Sequence, residues 1–118
     1  MDITYQNPEN LRHRSDTVIY NGIAYLSGVV PLDTSADIQA QTQQVVSQLD
    51  ERLARAGSSK DRILSATIWL EDVNRDIAAF NAVWNEWVVP GSLPSRSCVQ
   101  ATLQKGSLLE VAVIAAVS

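Results

Sequence analysis

The rhythm of apolar and polar residues switches along this chain between alternation and a helical repeat, and the switches mark its elements. Thr17 to Tyr20 and Ile23 to Ser27 are short β-rich runs divided by Asn21-Gly22, a dipeptide that tolerates positive φ and therefore predicts a hairpin. Ser35 is placed to cap a helix whose Ile38, Val45, Leu49 and Leu53 share one face, with Gly57 supplying the left-handed stop. Arg62 to Glu71 then alternates, with Leu64, Ala66, Ile68 and Leu70 on one side and Ile63, Ser65, Thr67 and Trp69 on the other, which is strand periodicity. Asn74 is placed to cap a second helix that turns Ile77, Phe80, Trp84 and Trp87 inward and is stopped by Pro90-Gly91. Ser95 to Leu103 and Leu108 to Val117 predict two more strands, joined by a turn at Lys105-Gly106.

The order ββαβαββ implies an α+β fold, one mixed or antiparallel sheet with both helices on one face. The last strand adds a second inference. Leu109, Val111, Val113, Ala115 and Val117 point one way while Leu108, Ala112, Ile114 and Ala116 point the other, so both faces are apolar and both call for cover. Two helices on one side leave the other side to another copy, and a homo-oligomer is expected. A length of 118 residues fits one domain, spanning 1–118.

Composition narrows the function classes. Hydrophobic residues make up 46% and charged residues 19%, the balance of a globular chain. No apolar stretch reaches the roughly 18 residues of a membrane helix, and Met1 to Thr4 lacks the features that open a signal peptide. A cytoplasmic protein without membrane partners is expected. One cysteine and one histidine offer neither an intrachain disulfide nor a zinc-site spacing, so no metal is expected. A net charge of −4 is poorly suited to holding phosphate backbones, and nucleic acid is not an expected partner.

The clearest pointer to chemistry is a pair of charges. Arg96 stands in Pro94-Ser95-Arg96-Ser97-Cys98-Val99, and Glu110 follows within the apolar run Leu108 to Val117. Ionised groups in sequence that otherwise calls for burial require a partner or a task. On residues alone, Arg96 also reads as an ion-paired or edge-strand residue.

The order of elements, Ser27-Gly28 after the second strand, Asn81 in the second helix, the Arg96 motif and the late Glu110 together resemble the RidA/YjgF family of enamine and imine deaminases. The resemblance spans nearly the whole chain, and Gln48 to Gly57, Ile63 to Leu70 and Trp84 to Val89 are closer to its YoaB-like branch. It implies a trimer with a chorismate-mutase-like fold and clefts between subunits, no cofactor, and hydrolysis of small 2-imino or enamine acids to 2-keto acids and ammonia. In that reading Glu110 is catalytic, handling the attacking water. Arg96 grips the substrate carboxylate, with Cys98, Asn81, Ser27 and Arg14 as further substrate contacts. Two other classes remain open: a trimeric small-carboxylate or keto-acid binder acting as sensor or chaperone-like module, and an endoribonuclease-like activity.

The residue types suit the chemistry. A guanidinium holds a carboxylate through two parallel hydrogen bonds, and a carboxyl group in a partly desolvated cleft can pass protons between water and a leaving amine. Plainer roles stand beside these. Glu110 equally fits an ion pair with a neighbouring arginine at a subunit boundary. Cys98 fits a core or cleft-lining position, since no histidine is near in sequence to activate it. Asn81 shares a stripe with Ile77, Trp84 and Val88 and fits a satisfied buried amide. Trp69, Trp84 and Trp87 fit core and interface packing, and His13 fits the surface. The chain departs from the family where a tyrosine is expected ahead of the first hairpin strand: it reads Arg12-His13-Arg14-Ser15, and Arg14 or His13 in that place would reshape the cleft for a more acidic or larger ligand.

Overall fold

A computed structural model describes residues 2–117. Its elements are β1 (Thr4–Gln6), β2 (Thr17–Tyr20), β3 (Ile23–Leu26), α1 (Ile38–Arg55), β4 (Ile63–Leu70), α2 (Val73–Trp87), β5 (Ser95–Gln100) and β6 (Leu109–Ala116). They form a six-stranded sheet in the order β1-β2-β3-β6-β4-β5. Pairing is antiparallel except between β4 and β5. The expected α+β architecture is therefore observed, with β1 as an added edge strand that the apolar pattern did not announce.

Local chemistry explains most boundaries. Asn21 and Gly22 have φ of 53° and 77° and close a two-residue turn in which Tyr20 pairs with Ile23, as a primed hairpin turn requires. Helix α1 is capped by Asp37, whose carboxylate accepts from the Ala40 N–H at 2.9 Å, and not by Ser35, which bonds Asp33 instead. At its far end Gly57 has φ 81°. The Ser58 N–H reaches the Leu53 carbonyl and the Gly57 N–H that of Ala54, the paired bonds that terminate helices at a left-handed residue. Helix α2 starts from Asp72, which accepts from the Arg75 N–H, two residues earlier than the expected Asn74 cap.

Both helices cover one face of the sheet. Leu49 and Leu53 of α1 and Phe80 of α2 are fully buried with Ile68, Leu70, Leu109 and Val111 beneath them. Trp87 Nε1 donates to the Asp50 carboxylate at 3.1 Å, tying α2 to α1. Truncating a side chain such as Phe80 would cost about 3–5 kcal/mol. The opposite face has no cover among the described residues: Tyr25 is 46%, Val99 48% and Ile114 36% exposed.

Strand β4 differs from the expected alternation at one end. Ile63 pairs with Ala115 and Ser65 with Ile114, so Leu64 is the extra residue of a bulge. Ile63 enters the core and Leu64 is half-exposed, the reverse of the expected grouping, while Ala66, Ile68 and Leu70 share one side as expected and it is the buried one. The Lys105-Gly106 turn is present, with Gly106 at φ 85°, but β4 lies between the strands it connects. Buried Gln41 donates to the carbonyls of Thr34, Ala36 and Gly106 and accepts from the Leu108 N–H, which sets the entry to β6.

Candidate functional site

The six sequence-selected residues fall into two groups on opposite faces of the sheet. Residues paired across a ladder share a face. Arg96 on edge strand β5 pairs with Ala66, which pairs with core residue Val113, so Arg96 points to the helix side. Glu110 pairs with Trp69, which pairs with exposed Val99, so Glu110 points to the uncovered side. Leu109, Val111 and Val113 are its chain neighbours but lie behind it in the core. Neither charge is buried in the core, contrary to what the surrounding sequence suggested: Arg96 is exposed and Glu110 half-buried.

The Arg96 side chain is held by α2. Its guanidinium carbon lies 5.6 Å from the Phe80 ring centroid and 5.8 Å from that of Trp84, within cation–π range. Nη2 donates to Asn81 Oδ1 at 2.7 Å. The helical stripe that raised the question about Asn81 thus gives it a third role: it orients an arginine. Cys98, two residues along the same face, pairs with Ile68 and packs against the core. Burial pushes its thiol pKa up, with Arg96 pulling more weakly in the other direction. That environment disfavours a thiolate.

The Glu110 group surrounds a cleft of about 460 Å³ lined by His13, Arg14, Ser27, Gly28, Val30, Gln104 and Glu110. Val29 and Val111 exchange both backbone hydrogen bonds at 2.8 and 3.1 Å, which brings Gly28 under the Glu110 side chain. Ser27 Oγ donates to the Ser15 carbonyl at 2.6 Å, and its N–H donates to that of Asp16. Arg14 Nη1 donates to Asp16 Oδ1 at 2.6 Å. Asp16 is buried and also lies 3.5 Å from Arg52 and 3.4 Å from Arg55 of α1. Among the described residues, no three His, Cys, Asp or Glu side chains converge as metal ligands.

Residues 4–117 match the family model described as endoribonuclease L-PSP. The chain belongs to the RidA/YjgF family. This RidA/YjgF member is 44% identical over 104 residues to the RutC family protein YoaB of Escherichia coli, covering 87% of this chain and 90% of that one. To a RutC family protein of Haemophilus ducreyi it is 42% identical over 105 residues, 88% and 89% of the two chains. Its fold is similar to the crystal structure of a YjgF family member from Neisseria meningitidis, with a TM-score of 0.94, 37% identity and coverage of 100% and 97%.

Several residues of the two groups escaped the sequence reading of this RidA/YjgF chain. Phe80 and Trp84 looked like core residues only, because their apolar periodicity carries no sign that an arginine stacks on them. Gln104 lies in a turn-rich segment with no pattern. Asp16 was findable, as an acid directly ahead of the β-rich Thr17-Val18-Ile19, where a strand entry seldom buries a charge without partners.

Proposed function

We propose that this protein hydrolyses small 2-imino and enamine acids to 2-keto acids and ammonia, in a cleft where the Arg96 group of one subunit meets the Glu110 group of the next, without a cofactor. The observation that carries this reading is the state of Arg96. It is held by Asn81 and two aromatic rings. Among the described residues, no carboxylate lies within ion-pair distance of it. An arginine oriented in advance and left without an acid is a receptor for a ligand carboxylate.

Glu110 supplies proton transfer. Water adds to C2 of the protonated imine while Glu110 takes one of its protons, and the C=N π pair passes to nitrogen. Glu110 then protonates that nitrogen, ammonia leaves with the C–N pair, and the hydroxyl proton is lost as C=O forms. Because the two groups lie on opposite faces of one sheet, a single ligand spans both only across a subunit boundary. The exposed apolar side chains Tyr25, Val99 and Ile114 support a trimer packed through the uncovered face.

The test is turnover. An imine generated in situ by an amino-acid oxidase should disappear faster with the protein than by spontaneous hydrolysis. Binding of keto acid without acceleration would favour the sensor reading. Cleavage of RNA in place of imine would overturn both, although a net charge of −4 gives RNA little to hold.

A further inference from the structure

We infer that the Glu110 cleft selects imino acids carrying a second, distal carboxylate, which Arg14 receives; this rests on the hydrolase reading above, with Arg96 of the partner subunit holding the first carboxylate. Arg14 lines the cleft, and among the described residues its guanidinium makes one hydrogen bond, through Nη1 to Asp16. Its Nε and Nη2 donors are left for a ligand.

That single bond does not neutralise it. The Asp16 carboxylate is shared by Arg14, Arg52 and Arg55, so it is not Arg14's alone. Arg52 registers the crowding: burial lowers its pKa, Asp16 opposes that, Arg14 and Arg55 add to it, and Glu9 opposes it more weakly. Its Nη1 is buried without a hydrogen-bond partner. Glu9 and Glu51 line an adjoining hollow with Asp16, Arg52 and Arg55, which gives those two arginines further acids, and Arg14 is not among its walls. Arg14 therefore faces the cleft with a shared carboxylate as its one partner among the described residues. Glu110, seated over Gly28 in that cleft, opposes any anion, so only a ligand whose distal carboxylate reaches the guanidinium gains. An aliphatic tail there would lie beside a charge with nothing to offer it.

Titration calorimetry on the assembled protein tests this with inert product analogues. Wild type should bind 2-oxoglutarate on the order of tenfold more tightly than 2-oxobutanoate, the scale of one charge-assisted hydrogen bond. The ratio should collapse in Arg14→Gln. Should that variant fail to fold, 2-oxoglutaramate replaces it on wild type, since exchanging the distal carboxylate for an amide should remove the same preference. Equal or tighter binding of 2-oxobutanoate by wild type overturns the inference and leaves the hydrolase reading standing. A ratio unchanged in Arg14→Gln, or retained by the amide, overturns the role of Arg14. Binding of none of the three acids removes the hydrolase reading and this inference together.

Discussion

The carboxylate of Glu110 occupies the space in which a side chain at Gly28 would begin. A Cβ there would lie 2.8 Å from Glu110 Cδ and closer still to Oε2, below any real contact distance. Gly28 is thus part of the site by having no side chain.

Gly28→Ala should fold, because the obstructing atoms are the end of a flexible side chain, at a cost of about 1 kcal/mol. The carboxylate would be pushed aside by an ångström or more. Imine hydrolysis should fall on the order of a hundredfold, as small misplacements of a reacting group do. A thermal melt beside a rate measurement checks both, and wild-type turnover would mean the pose of Glu110 is irrelevant.

Glu110→Gln keeps shape and removes the proton acceptor. Keto-acid binding should persist while hydrolysis slows on the order of a hundredfold. Loss of assembly in this variant would instead assign Glu110 to an interface ion pair, whose stranded partner destabilises the oligomer.

Arg96→Lys retains the charge but loses the fork and the flat stack on Phe80 and Trp84. Calorimetry should show carboxylate binding weakened roughly tenfold with assembly intact. Unchanged affinity would make Arg96 structural.

Sedimentation should show three subunits. More pointedly, Arg96→Ala and Glu110→Ala proteins, each inactive alone, should regain measurable activity after being mixed under conditions that exchange subunits. Each mixed trimer would contain one cleft with an intact Arg96 and an intact Glu110. Absence of any recovery despite demonstrated exchange would place both residues of each cleft in the same chain.

Cys98 should resist alkylation near neutral pH, since burial raises the thiol pKa and only the thiolate attacks. The rate should rise with pH along a curve displaced above that of a free thiol. A curve displaced below it would reopen the case for a nucleophilic cysteine.

The elements were legible where local chemistry decides them. Asn21-Gly22 and Gly57 announced their turns, and the apolar rows of α1, α2 and β6 announced the core. Thr4–Gln6 was not legible, because a three-residue edge strand has no period to read. Ser35 and Asn74 lost their caps to Asp37 and Asp72, equally good oxygen acceptors two residues away. The bulge at Leu64 was invisible because alternation assumes an unbroken register. For the site, the residue types of Arg96 and Glu110 drew notice, and parity alone put Glu110 opposite Leu109 and Val111. The face of Arg96 could not be read, since it depends on β5 pairing in parallel with β4, a relationship between distant segments.

The strand order has a consequence in time. β6 sits between β3 and β4, yet it is synthesised after every other described strand. The β1–β3 meander and the β4–β5 pair therefore remain two unjoined pieces on the ribosome, with α2 already over β4 but α1 lacking β6, the strand it packs on. Only insertion of residues 109–116 as the keystone joins them, a non-local step that makes folding slow and leaves open strand edges waiting. The same strand carries Glu110, so the carboxylate of the site is delivered in the event that completes the sheet.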